Sequence, residues 1–319
     1  MTKPLQVKRD DDVGTTLVEV EGVTVRYGDL TAVDDVSLTV APGEIVGVIG
    51  PNGAGKTSLL ECIEGLRRPS AGRIRVDGID PLADRTTMVR IAGVQLQHSS
   101  YPPRTSVEEI CRLFAALYSP RPDYRPLLDE FGLADKRRAQ VTKLSGGERQ
   151  RLSLVLALLG DPKVVFLDEL TTGLDPNARR SVWEALRSRN HAGLTVVITS
   201  HFMEEVEYLC DRVAVLVRGR LVACDSVAAL IRTHAPGVRL LVEGAADDQE
   251  LRAALEKSAK VRVIPSGSRL IVRVPDDEAR GQVDRVLADY ADRTRTLPVS
   301  MEDVYVELTG QAVTAGAGE

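Results

Sequence analysis

The run Gly50-Pro51-Asn52-Gly53-Ala54-Gly55-Lys56-Thr57-Ser58 carries the spacing GxxxxGK[ST]. It lies between an apolar stretch, Ile45–Ile49, and a segment that reads as a helix from about Lys56. Glycines at such a turn let the backbone fold tightly enough for several N–H groups to point at the oxygens of one anion. A helix that begins there aims the positive end of its dipole at the same charge. Lys56 adds a point charge suited to β- and γ-phosphates, and Thr57 offers a hydroxyl to Mg2+. Ordinary residue frequencies produce this spacing by chance in about one chain in a hundred of this length. With a strand before it and a helix after it, the phosphate-binding reading outweighs coincidence.

A second chemical feature is Asp168-Glu169, which closes the apolar run 164–167. Carboxylates at the C-terminal end of a buried strand sit where ligands of open α/β sheets gather. Asp168 suits the holding of Mg2+, directly or through water. Glu169 suits taking a proton from a water that attacks the γ-phosphate, and such general-base help is typically worth ~10²–10⁴ in rate. Alone, the pair could equally be a solvated acidic turn; a phosphate loop in the same chain favours the chemical reading.

The residues Leu144-Ser145-Gly146-Gly147-Glu148-Arg149-Gln150-Arg151 resemble the LSGGQxQR signature of the ATPases of ABC transporters, with Glu148 where glutamine is common. Ser145, Gly146 and Gly147 offer a hydroxyl and close backbone N–H groups ahead of a helix, a second anion cradle. The resemblance implies that this cradle faces the γ-phosphate held by another chain, so that two subunits complete one ATP. Other residues fall in the family's order. Tyr27, in Val-Arg-Tyr-Gly, resembles the aromatic that stacks on adenine, and Gln97 the glutamine that senses Mg2+ and γ-phosphate and links to the membrane partner. Asp175, in Thr172-Gly173-Leu174-Asp175, resembles the acid of the dimer-contact loop, and His201 the switch histidine at the γ-phosphate. Singly, a tyrosine, glutamine or histidine is more often a core or surface residue; order and spacing around three motifs give these their weight. Two departures stand out: Leu170 replaces the usual proline, and Gln95 is a second glutamine near Gln97. The distance to the helix start at 105–109 favours Gln97 as the sensor.

The resemblance covers about residues 17–230 and implies an ATP-binding, ATP-hydrolysing subunit that uses Mg2+, pairs with a second ATPase subunit expected to be its own copy, and powers a separately encoded permease. The chain is then expected in the cytoplasm, on the inner face of the membrane through that permease. The ending, residues 297–310, resembles the close of bacterial drug-resistance and antibiotic-export ATPases, which favours export of a drug, antibiotic or lipid-like compound over import. The alternatives are an importer subunit or a soluble ABC-family ATPase acting on ribosomes or nucleic acid. Proteins of the latter kind usually carry two ATPase halves or a long coiled-coil insertion, and neither is present. A phosphate-loop kinase or GTPase would need no LSGG run.

These residues need a scaffold, and the pattern supplies one. Alternating runs at 17–20, 23–27 and 36–40 read as antiparallel strands, and 73–76 as another. From about 105 to 159 apolar residues recur at helical spacing, a helical subdomain at about 100–160. Apolar strands at 164–167 and Thr195–Thr199, separated by a helix around 181–189, indicate a parallel sheet covered on both faces. Residues 213–217, with a turn at 218–220, read as an edge hairpin. After Pro236-Gly237 the order changes: strand 238–242, helix 248–258, strands around 261 and 270–274, helix 277–291, and a strand near 296–298. That βαββαβ order is ferredoxin-like. The expected organisation is a disordered lead-in at 1–16, an α/β phosphate-loop ATPase domain at 17–232 with a mixed sheet core, antiparallel β subdomain and helical subdomain, a small α+β domain at 237–310, and a disordered tail at 311–319.

Composition limits the partners. The chain has 319 residues, 43% hydrophobic and 27% charged, with 41 basic against 46 acidic residues, a net charge of −5. That mild acidity argues against nucleic acid as a partner. No run reaches the ~18 apolar residues of a membrane span, and the first residues lack the apolar centre of a signal peptide. Cys62, Cys111, Cys210 and Cys224 form no CxxC pair and read as reduced, mostly buried thiols.

Overall fold

A computed structural model describes residues 16–95, 101–102, 104–258 and 261–311. Among these the chain forms two compact units that divide after Val227.

The first unit opens with β1 (Val18–Tyr27) and β2 (Leu30–Val40), which pair antiparallel. The two expected strands 17–20 and 23–27 are one, its register broken near Gly22, which takes φ 58°. β3 (Ile45–Ile49), buried throughout, leads to α1 (Lys56–Ile63). β4 (Ala71–Val76) joins the small sheet, whose order is β2-β1-β4. Next come α2 (Arg85–Ile91), capped by Asp84, and β5 (Ala92–Gln95), neither anticipated from the pattern.

The helical stretch comprises α3 (Val107–Ala115), α4 (Arg125–Glu130) and α5 (Gly146–Leu158). Ser106–Glu109 and Ser145–Glu148 form capping boxes that start α3 and α5 by satisfying two orphan N–H groups each. β6 (Val164–Asp168), α6 (Pro176–His191) and β7 (Thr195–Thr199) follow. Then come α7 (Met203–Leu209), also unanticipated, the hairpin β8 (Arg212–Val217) and β9 (Arg220–Ser226), and α8 (Val227–His234), which runs across the division.

The main sheet has the order β5-β6-β7-β3-β8-β9, parallel except for the β8–β9 hairpin at its edge. β3, β6 and β7 bury every residue, as strands covered on both faces must. Cys62, Cys111 and Cys210 are buried, Cys224 is partly so, and all four are free thiols.

The second unit contains β10 (Val238–Val242), α9 (Gln249–Ser258), β11 (Arg262–Ser266), β12 (Arg269–Val274), α10 (Asp277–Val286), β13 (Thr294–Leu297) and α11 (Met301–Thr309). Its antiparallel order, β11-β12-β10-β13, is the ferredoxin-like one. Leu251 and Leu255 of α9 and Val283 of α10 pack with Leu240, Leu270 and Val272 of the sheet in one core. Arg239 and Arg273, opposite one another in the β10–β12 ladder, are held by α11. Arg239 reaches Ser300 Oγ and Asp303, and Arg273 reaches Glu307 and the Asp303 carbonyl. The expected helix 277–291 ends at Val286 and gives way to a 3-10 turn, Ala288–Arg293. Among the described residues no helix is long and apolar enough to cross a membrane.

One contact fixes the edge of the main sheet against the helix that begins within the LSGG run. A Cβ on Gly93 of β5 would lie 2.0 Å from the Ala157 carbonyl of α5. Gly93→Ala should therefore cost about 1–3 kcal/mol through overpacking, read as a lowered denaturant midpoint; an unchanged midpoint would refute the close approach.

Candidate functional site

Strand register brings the chemistry together. Val48 of β3 pairs with Thr199 of β7, Asp168 of β6 pairs with the same Thr199, and Gln95 of β5 pairs with Leu167. The C-terminal ends of β3, β6 and β7 thus lie side by side. Gly50–Ser58, Asp168-Glu169 and Ser200-His201 leave the sheet there together, at the edge where open α/β sheets take ligands.

The phosphate loop is shaped by glycine. Gly50, Gly53 and Gly55 have φ of 154°, 76° and 99°. A Cβ at Gly50 would sit 2.1 Å from the Leu216 carbonyl, and one at Gly55 2.2 Å from the Ala32 carbonyl. Ala54 is buried and its N–H bonds back to Pro51, while Asn52 stays exposed. Gly55 stands at the N-cap of α1, so the orphan N–H groups of that helix open toward the loop. The Lys56 side chain curls back, its Nζ donating to the carbonyls of Gly50 at 2.8 Å and Pro51 at 3.1 Å. Burial pulls its pKa down from the usual lysine value, and Glu169 and Asp168 oppose that shift. A desolvated ammonium whose hydrogen bonds go to neutral carbonyls can exchange them for those of an anion.

Thr57 Oγ1 donates to Asp168 Oδ2 at 3.4 Å, and the other carboxylate oxygen accepts a short hydrogen bond from Thr199 Oγ1. Thr199 also receives the Glu169 N–H on its hydroxyl, at 3.0 Å. Glu169 itself adopts φ 51°, which turns its side chain out of the strand direction, and its Oε1 lies 3.8 Å from His201 Nδ1. Lys56, Thr57, Asp168, Glu169 and His201 are therefore one constellation. Leu170, at the position of the family's proline, is fully buried.

The remaining expected residues are distributed around it. Tyr27 ends β1, 41% exposed, with its hydroxyl 3.0 Å from Ser58 Oγ and the Arg67 guanidinium 4.6 Å over one ring face. Ser145 is the N-cap of α5, and Gly146 and Gly147 form the first turn of that helix, not a loop ahead of it. The Ser145 hydroxyl accepts from Glu148 N at 3.2 Å, and Glu148 pairs with Lys136 at 3.1 Å. A Cβ on Gly147 would touch Leu174 at 3.0 Å, so this turn lies against the loop before Asp175. Asp175 caps α6, accepting the N–H groups of Asn177 and Ala178. Gln97 lies outside the described residues; Gln95 is buried at the end of β5.

Sequence reasoning missed two members. Thr199 is invisible as a motif, yet it supports both acids; the pairing of two apolar strand ends was its only available signal. Glu64, at the end of α1, is 7% exposed, and its Oε1 has no hydrogen-bond partner among the described residues. Burial, with Asp168 and Glu61 adding to it, pushes its carboxyl up to about 8.

Among the described residues no group of three or more His, Cys, Asp or Glu side chains could hold a metal ion by itself. Mg2+ usually takes one or two protein ligands and completes its shell with phosphate oxygens and water. Thr57 and Asp168, one hydroxyl and one carboxylate within reach of the same point, fit such an ion.

Residues 33–172 match the family model described as ABC transporter. The Nod factor export ATP-binding protein I of Mesorhizobium japonicum is 38% identical, over 94% of this chain and 89% of that protein. The daunorubicin resistance ATP-binding protein DrrA3 of Streptomyces coeruleorubidus is 35% identical, over 92% of this chain and 96% of that protein. Among solved structures, the ATP-binding subunit of an ABC transporter superposes with a TM-score of 0.64 at 29% identity, covering 68% of this chain and 92% of that one. A dimeric ATP-binding cassette in a post-hydrolysis state superposes at 0.61 and 24% identity, over 66% of this chain and 98% of that one, a likeness of fold.

Glu64 gives the site a pH signature. Below its usual value of 4.5 the acid is protonated whether the chain is folded or not, and its full contribution to stability is present. As pH rises toward about 8 the unfolded chain ionises Glu64 while the fold keeps it neutral, so stability falls. Glu64→Gln should remove that component. The variant's stability advantage over wild type, measured by denaturant titration without nucleotide, should grow between pH 5 and pH 8 by an amount on the order of a few kcal/mol. A difference that does not vary with pH would contradict the assignment.

Proposed function

The chain belongs to the ATP-binding proteins of ABC transporters, and from that membership we propose that two copies of it close on two ATP molecules and drive a separately encoded membrane-spanning permease. It is an ATPase subunit of the export type. The relatives' names, one for Nod factor export and one for daunorubicin resistance, support export as the direction. The cargo we infer is a drug, antibiotic or lipid-like compound. The subunit works in the cytoplasm at the inner membrane face, held there by the permease.

The observation that carries the catalytic reading is the meeting of Thr57, Asp168, Glu169 and His201 at one sheet edge. Lys56 exchanges the Gly50 and Pro51 carbonyls for phosphate oxygens, which gives a buried ammonium charged in place of neutral acceptors. Thr57 and Asp168 would hold Mg2+, and the family resemblance adds Gln97 as a residue that senses it. When bound, the ion offsets phosphate charge. Glu169 accepts the proton of the attacking water, and His201 contacts the γ-phosphate from the neighbouring strand. Tyr27 offers its open ring face to adenine. From the other copy, Ser145, Gly146 and Gly147 present the first turn of α5 to the γ-phosphate, and Asp175 lines the contact between copies. ATP favours the closed pair because it touches both halves; loss of the γ-phosphate removes that bridge. The nucleotide machinery is assigned to residues 17–232, and residues 237–310 form an appended domain.

Glu169→Gln keeps the shape of the site and removes the base. It should lower ATP turnover by ~10²-fold or more while ATP binding persists and the ATP-bound pair accumulates on gel filtration. Turnover equal to wild type would overturn the role of Glu169. Purified in that trapped state from its own membranes, the variant should bring down a polytopic membrane protein.

A further inference from the structure

Glu205 is an acid the catalytic reading does not use, and it lies where three parts of the first unit meet. It sits on α7 four residues after His201 and is 1% exposed. Trp183 of α6, the single tryptophan of the chain, donates its indole N–H to Glu205 Oε1 at 2.9 Å and stacks on Tyr208 of α7 at 5.2 Å. One turn earlier on α6, the Arg179 guanidinium lies 4.0 Å over the ring of Phe202. Phe202 in turn stands 4.1 Å from the His201 ring and donates its N–H to Ser200 Oγ. The Glu205 carboxyl also has Ser200, next to His201, and Thr171, two residues after Glu169, as neighbours. Among the described residues neither Thr171 Oγ1 nor Glu205 Oε2 closes a hydrogen bond, although both atoms are buried.

An aliphatic side chain would pack α6 against α7 without desolvating a carboxyl group. The acid adds direction: one oxygen accepts from the indole, and the carboxyl has Thr171, on the loop that carries Glu169, as a neighbour. We propose that Glu205 is a positioning residue for ATP hydrolysis, holding the segment that bears His201 in register with the loop that bears Glu169 by way of Trp183 and Thr171. This rests on the roles given above to Glu169 and His201. Burial pushes the Glu205 carboxyl above its usual range, so a neutral amide of the same shape can take its place.

The test compares Glu205→Ala, Glu205→Gln and Trp183→Phe in the full chain, with Glu169→Gln and His201→Ala as references. Glu205→Ala should lower kcat by ~10–100-fold, the scale on which small misplacements of reacting groups act, with ATP affinity within about twofold of wild type. It should also shift the Trp183 emission. Glu205→Gln should keep both the emission and most of the turnover, and Trp183→Phe should lower kcat by a smaller factor with ATP affinity unchanged. Wild-type kcat in Glu205→Ala, or a loss that merely follows ATP affinity, would overturn the proposal. So would a Glu205→Gln variant that folds and is as impaired as Glu205→Ala. If Glu205→Ala does not fold, wild-type turnover in Trp183→Phe overturns it alone. Should Glu169→Gln and His201→Ala both turn over normally, the underlying catalytic reading fails. If they are inactive while Glu205→Ala is not, only the role of Glu205 falls.

Discussion

Thr199 and Asp168 face each other across the β6–β7 ladder, and their hydrogen bond fixes the origin from which the rest of the site is measured. The β6–β7 register decides which residue stands opposite Asp168, and a slip of one residue would turn the side chains of the strand to the opposite face. With Asp168 set, Thr57 on the first turn of α1 finds its partner. Glu169, its N–H held by the same threonine, bends away into the left-handed region and meets His201. One β-hydroxyl thus orients two adjacent carboxylates at once, those proposed above to hold Mg2+ and to accept a proton. The strands can do this only because they are apolar enough to be buried on both faces, which is also why their ends, and not their middles, carry polar groups.

The helix that presents Ser145 is held by similar means. Glu148, where relatives of this family commonly have glutamine, accepts the Ser145 N–H, and Lys136 neutralises it. The Ser145 N–H, with Lys136 adding to it, draws the Glu148 carboxyl below its ordinary range. The acid at this position is thus the capping member of a box at a helix start, where negative charge is favoured. The exchange of amide for carboxylate is compatible with the fold and strengthens the start of α5.

Features written in local chemistry could be read from the sequence: the glycine loop, the acids closing an apolar run, and the βαββαβ order of the second unit. Features that arise from tertiary pairing could not. β5 is four residues long and too short to declare a period. α7 is hidden because its buried face includes Glu205, a residue that pattern reading assigns to solvent. Thr199 looks like any β-branched strand residue until Asp168 is placed beside it. The split of β1 into two expected strands had a local cause, Gly22, which suggests a turn in sequence and acts as a bend within one strand.

The arginines of the second unit set a condition on when that unit can assemble. Arg239 and Arg273 lie on adjacent strands, and their counter-charges, Asp303 and Glu307, belong to α11. Leaving a buried guanidinium without its partner is costly, so β10 and β12 cannot settle in final form before α11 is available to close over them. During synthesis the residues of the first unit emerge early and can organise their core while translation continues. The charge pairing of the second unit is thus completed by α11, with Asp303 lying 64 residues after Arg239, so the sheet and this helix gain their stability together.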